Sequence, residues 1–228
     1  MVATSPVEVE AVLADVARVG PYFTLDTDPD LADHPLWRPL TELYGRALPD
    51  QIATVRARLG TDEPRVAASL LFQGIAGRLW SPILAAAVEH GVVPLLDPAR
   101  TYWRAASPGP VLLAAPGTYG TGADASSVHL VVVERHLRPL VSAVRAVTPV
   151  AEGLLWGNAA SALVGALTVL SGARPAGAGP GLRLVSDLLS LPPLRGTGSL
   201  GPQGFRRRSC CLYYRVPGGG LCGDCALL

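Results

Sequence analysis

The 228-residue sequence contains no lysine; all of its 19 basic residues are arginine. A phosphate-binding loop ending in Gly-Lys is therefore excluded. With abundant Ala, Gly, Pro and Leu, the missing lysine reads as genome composition rather than function. Charge is sparse, at 16% of residues against 49% apolar, which places the chain among globular proteins rather than disordered ones. A domain-wide basic face is also missing, so nucleic acid is not an expected partner. No His-Glu-x-x-His or Gly-x-Ser-x-Gly occurs, which removes two common hydrolase sites. "GTYGTGAD" at 117–124 lacks the strand and helix of a dinucleotide fingerprint, and "GAGPG" at 177–181 reads as linker. Electrons from a nicotinamide would have to arrive through another protein. His129 and His136 lie seven apart and read as ordinary surface or core residues.

Long apolar runs are few. "LLWGNAASALVGALTVL" is seventeen residues, includes Asn158 and is rich in small side chains. A membrane span needs about 20 residues, so this segment is expected to be a buried core helix, with no transmembrane segment. "MVATSPVEVEAVLADVARVG" carries acidic residues where a secretory leader needs a charged-then-apolar pattern. The expected location is cytoplasmic, where thiols stay reduced and a stapling disulfide is out of place.

Helical periodicity dominates what is there. Ser5-Pro6-Val7-Glu8 predicts a capped helix start, followed by Val9, Val12, Leu13 and Val16. Helices are also predicted over 50–59, 62–80, 82–91 (with Ser81-Pro82 as the break), the end of the stretch 129–147, 148–171 and 182–191. "TYWRAA" and "VLLAA" flank "SPGP" at 107–110 and predict a short β-hairpin, with Pro110 demoting its second strand to an edge. Gly157, Ser161 and Gly165, four apart, leave room for a neighbouring helix. The stretches 172–181 and 192–204 read as linkers. The fold class is thus α+β: a predominantly helical body over 1–200, a small β-hairpin, and a C-terminal subdomain over 201–228.

Cysteine is the scarce residue that is most unevenly placed. All four lie in the last nineteen residues, spaced Cys-Cys-x10-Cys-x2-Cys at Cys210, Cys211, Cys222 and Cys225. Clustered thiols in a reducing compartment point to a soft tetrahedral metal site, zinc or iron–sulfur. Zinc sites draw on paired Cys-x-x-Cys knuckles, for which adjacent cysteines are poorly suited. A [2Fe–2S] cluster needs two thiolates on each of two irons and tolerates the pair better. Residues 151–228 hold seven arginines against Glu152, Asp187 and Asp224, a balance of +4, leaving −3 on the first 150 residues. Arg206, Arg207, Arg208 and Arg215 sit beside the cysteines, where a cationic field would favour a reduced, anionic cluster. "PGGG" at 217–220 supplies backbone able to fold tightly around sulfur.

The ending "RRSCCLYYR…LCGDC" resembles the FhuF-type ferric-siderophore reductases. "LLFQGIAGRLWSPILAAAVEHGVVPLLDP" at 70–98 and "LLWGNAASALVG" at 154–165 are similar to helical segments of that family. The resemblance implies a [2Fe–2S] cluster held by Cys210, Cys211, Cys222 and Cys225. It also implies one-electron reduction of chelated Fe(III) to Fe(II), an oxidoreductase activity that releases iron from a ferric siderophore, with hydroxamates the expected type. No general base or nucleophile is then required beyond the cluster. A separate donor such as a ferredoxin or reductase would supply the electron. Arg207, Arg208 and Arg215 are candidates to attract an anionic chelate or an acidic donor, and Trp80 and Trp156 candidates to line a groove. Two other readings stay open: a [2Fe–2S] carrier or sensor without a siderophore, and a zinc-stabilised binding module.

Overall fold

The structure is a computed structural model that describes residues 3–106 and 111–228. Helix α1 (Pro6–Val16) opens with the capping box read from the sequence: Ser5 accepts from the Glu8 N–H, and the Glu8 carboxylate accepts from the Ser5 N–H at 2.9 Å. Short turns, strand β1 (Arg38–Pro39) and helix α2 (Leu40–Leu43) lead into α3 (Leu48–Leu59). The centre of the molecule is α4 (Pro64–His90), whose residues from Val66 to Ala87 are nearly all buried. A helix apolar on every side belongs in the middle of a core.

One expectation fails here. Ser81-Pro82 does not break the helix; Pro82 lies inside α4. Leu79, Trp80, Ile83 and Leu84 on both sides of it are fully buried, and keeping all four in the core outweighs the ladder bond that proline cannot donate. The Ser81 hydroxyl donates to the Gly77 carbonyl at 2.7 Å.

After α4 come β2 (Val92–Pro94), β3 (Tyr102–Arg104), β4 (Leu112–Ala114) and β5 (Gly120–Gly122). β3 and β4 pair antiparallel with Trp103 opposite Leu113, as the sequence predicts, and β1 joins the outer side of β3. The "SPGP" turn and Pro110 lie outside the described residues. β2 pairs antiparallel with β5.

Helix α5 (Ala125–His129) runs through a π-helical stretch, Leu130–Leu137, into α6 (Arg138–Val147). The widened stretch ends two residues before Pro139, whose ring and missing N–H are incompatible with an undisturbed α-helical ladder. It carries His136, which is fully buried. The His136 Nε2 donates to the Leu96 carbonyl at 3.2 Å, so Nδ1 accepts from the Tyr44 hydroxyl at 2.8 Å. Burial holds its pKa down at about 4. The unfolded chain therefore binds this proton first. Stability is complete above about pH 6.5 and falls as the pH drops towards 4. Between pH 7.5 and pH 5 the loss is about 2 kcal/mol, read as the difference in urea unfolding between the native protein and His136→Gln. Equal pH dependence in the two proteins would count against a neutral His136.

Helices α7 (Glu152–Ala173) and α8 (Ala178–Ser190) complete the body. The predicted linker at 172–181 is mostly helical. Gly181 lets α8 close on α7, since a Cβ there would lie 2.6 Å from Leu167. The stretch 192–204 is likewise more than a spacer, because it contains β6 (Gly198–Gly201), which forms a hairpin with β7 (Gly204–Arg207). Of the described residues 58% are helical, with sheets of two or three strands, an α+β fold dominated by helix. Helices α4 and α7 are long and apolar enough to cross a membrane by length and composition. In this fold they pack against each other, and 78% and 61% of their most apolar windows are buried.

Candidate metal centre

The register of β7 explains what the arginine run does. Side chains alternate along a strand, and in β7 Phe205 and Arg207 turn inward while Gly204 and Arg206 face out. Arg207 is 2% exposed. It is therefore an interior cation, and its expected role in attracting a chelate from solvent is corrected. Its Nε donates to Asp224 Oδ2 at 3.1 Å and its Nη1 to Asn158 Oδ1 at 2.7 Å. Its backbone N–H donates to the Asp224 carbonyl at 3.1 Å.

Asn158 continues the network into the helical body. It is fully buried on α7, and its Nδ2 donates to both the carbonyl and the hydroxyl of Ser69 on α4, each at 2.9 Å. The Ser69 hydroxyl donates to the Cys211 carbonyl at 2.7 Å. Arg207, Asn158 and Ser69 thus form one chain of bonds from the Cys222–Cys225 turn, through two helices, to the adjacent cysteine pair.

Ser209 fixes the same segment from the other side. Its hydroxyl donates to the Gly153 carbonyl at 3.1 Å, and a Cβ on Gly157 would lie 2.2 Å from it. The small residues of α7 were expected to admit a helix; at Gly157 the neighbour is the cysteine tail. Arg215 pairs with Glu63 at 2.7 Å, a third anchor.

The cysteines themselves are held by short-range geometry. Cys211 and Cys225 are buried, while Cys210 and Cys222 are partly so. Leu212 has φ of +69°, a conformation that non-glycine residues rarely adopt, and its N–H donates to Cys210 Sγ at 3.3 Å. The Leu227 N–H makes the equivalent bond to Cys225 Sγ at 3.4 Å. A turn closes Cys222 onto Cys225, with the Cys225 N–H on the Cys222 carbonyl at 3.2 Å. Cys211 Sγ lies 3.6 Å from Cys222 Sγ. Burial, reinforced by the Cys211 thiol, pushes Cys222 up to about 12. Burial likewise raises Cys210, and Arg207 pulls against the rise in both.

Four thiols with two backbone N–H groups on sulfur form a donor set suited to iron and sulfide. A two-iron cluster takes its thiolates in two separated pairs. One donor in the shell has no protein partner: Arg207 Nη2 is buried without an acceptor. An anionic cluster supplies acceptors of the kind it lacks. The residues present fit a [2Fe–2S] group.

Trp80 and Trp156 do not line a groove. They are 0% and 4% exposed and belong to the core. The Trp156 Nε1 donates to Glu152 at 3.1 Å, and the Arg138 guanidinium lies 5.9 Å from its ring. Arg208 faces solvent, tied only through its backbone N–H to the Thr197 carbonyl among the bonds described here. The sequence reading missed Ser69, Ser209 and Asp224 as parts of the site. Asn158 alone gave a signal, as a single amide in an apolar helix that would need a buried partner.

The second feature of the site is a cavity of about 630 Å³ between α4, α7 and the tail. Its wall includes Tyr22, Gln73, Ser161, Gly165 and two of the cysteines, Cys211 and Cys222; among the described residues no charged side chain lines it.

These features define an iron–sulfur protein whose [2Fe–2S] cofactor is carried by its last residues. Residues 207–227 match the family model of the FhuF 2Fe-2S C-terminal domain, with Cys210, Cys211, Cys222 and Cys225 fitting its motif, so the chain carries an FhuF-type domain. The match stops at the tail and leaves the helical body outside it. A comparison with curated proteins gives no match.

Proposed function

We propose that this protein is a ferric-siderophore reductase that binds its chelate in the cavity between α4, α7 and the tail. The observation that carries this is the presence of Cys211 and Cys222 in the cavity wall. A molecule seated there lies against the ligands of the cluster, with no protein layer between. When bound, the cluster supplies single electrons, which is what conversion of Fe(III) to Fe(II) in an oxygen-donor chelate requires. Hard oxygen donors hold Fe(III) far better than Fe(II), so the transfer itself loosens the iron.

The lining also favours one class of chelate. Three hydroxamates neutralise Fe(III), whereas three catecholates leave a complex of charge −3. A wall without charged side chains suits the neutral complex, since an anion would lose its hydration without a counter-charge. Gln73, Ser161 and Tyr22 supply polar atoms for the hydroxamate oxygens and amides, and the volume lies within the usual range for small-molecule sites, roughly 300–1,000 Å³. Arg208 stands at the surface, and Arg215 is committed to Glu63. Arg208 therefore suits the approach of an acidic electron donor, with the reaction taking place in the cytoplasm.

The test is a single turnover without oxygen. Dithionite-reduced protein, freed of excess reductant, is mixed with a ferric trihydroxamate, and the oxidised absorption is followed beside a ferrous-specific dye. Stoichiometric reoxidation with Fe(II) release is expected, faster than with a ferric tris-catecholate. Indifference to every chelate, with normal exchange with protein donors, would identify a carrier instead. Gly165→Leu sharpens the result. A Cβ at Gly165 meets nothing within 4 Å, so the new side chain fills the cavity rather than the core. It is expected to slow reoxidation by the chelate about tenfold, equivalent to about 1.4 kcal/mol, and to leave reoxidation by ferricyanide unchanged.

A further inference from the structure

Arg207 has more hydrogen-bonding capacity than the protein around it uses. A guanidinium carries five N–H donors. Nε is taken by Asp224 and Nη1 by Asn158, yet Nη2 is buried and has no partner among the described residues. The side chain is shut off from solvent, at 0% exposure. A charged group is rarely buried so completely unless paired, and an unmet donor on it is expensive.

Its position is fixed from three directions. Strand alternation in β7 turns it inward, the Asp224 carbonyl holds its backbone N–H, and Asn158 holds its far end. Asp224 belongs to the Cys222–Cys225 turn, and Asn158 is linked through Ser69 to Cys211. The arginine is thereby built into the frame that carries three of the four cysteines. Its charge also reaches the sulfurs, being felt at both Cys210 and Cys222.

We propose that Arg207 is a positioning and tuning residue of the centre, whose Nη2 donates a hydrogen bond to a sulfur of the bound [2Fe–2S] cluster. This rests on the cofactor and holds whichever acceptor the protein serves. A cationic donor stabilises the cluster more once it has gained an electron, because the attraction grows with negative charge. Arg207 therefore raises the reduction potential.

Two measurements on the full, cluster-loaded chain test this. In an EPR-monitored redox titration, Arg207→Gln is expected to be about tenfold less reduced at a fixed solution potential, a midpoint about 59 mV lower for a one-electron couple. Arg207→Lys, which keeps the charge, is expected to recover part of the shift. Pulsed EPR of the reduced, unsubstituted protein grown with 15N-arginine is expected to show a weakly coupled arginine nitrogen that Arg207→Lys lacks. A loaded Arg207→Gln protein with the native midpoint overturns the proposal. So does the absence of any arginine nitrogen coupling in the unsubstituted protein, which decides the matter even where Arg207→Gln fails to fold. A merely structural arginine would lower thermal stability in both variants and leave midpoint and coupling unchanged.

Discussion

Cys211→Ala is expected to yield a colourless protein, without acid-labile sulfide and without an EPR signal after dithionite, yet with its helical content intact. Cys211 is 2% exposed, its carbonyl is held by Ser69, and its sulfur sits 3.6 Å from that of Cys222. The other three cysteines of the chain are ligands themselves, so none is spare to replace it. Loss of one thiolate leaves an iron three-coordinate in a buried site where water is a poor substitute. The body should survive, because α4 packs directly on α7, and Leu79, Ile83, Leu155 and Leu163 of these two helices lie in the hydrophobic core. Iron and sulfide analysis with far-ultraviolet circular dichroism checks both halves. A brown Cys211→Ala protein with an unaltered EPR signal would remove Cys211 from the ligand set.

The next largest effect is expected at a residue that touches no sulfur. Asn158→Leu keeps the number of side-chain heavy atoms but takes away the acceptor for Arg207 Nη1 and the donor to Ser69. Leaving a buried donor of a charged group without its acceptor costs about 3 kcal/mol, even though Asp224 still holds Nε. For a chain of this length that lowers Tm by roughly 10 °C. Arg207→Met in the Asn158→Leu background removes the donor left without an acceptor and should recover much of the loss. Additive losses in the double variant, measured as a double-mutant cycle, would show that the two residues act independently and that the bridge contributes little.

The sequence was most legible where structure is local. The Ser5–Glu8 capping box, the helical spacing in α3 and α7, and the pairing of β3 with β4 follow from neighbours a few residues apart. It was least legible where tertiary packing decides. Pro82 looked like a break because ladder chemistry says so, and only burial on all sides of α4 shows why the helix continues. The four cysteines were readable from spacing because all ligands fall within sixteen residues. The arginines beside them were not, since one run of three divides by strand parity into an interior ion and two outward charges. The cavity was invisible for a related reason. Its wall is drawn from residues 19–23, 70–81, 161–169 and 211–222, segments that meet only after folding.

The bare stretch of α7 around Gly165 carries a consequence for how such a protein diversifies. The wall facing the acceptor there is made of Ser161, Ala162, Gly165 and Ala166 on one rigid helix. The electron-transferring end is anchored a few turns away through Gly157 and Asn158. Enlarging or trimming a side chain at the first set reshapes what is accepted without disturbing the second. On the function proposed above, selectivity and driving force are separate dials on a single helix, and one can be turned while the other is left alone.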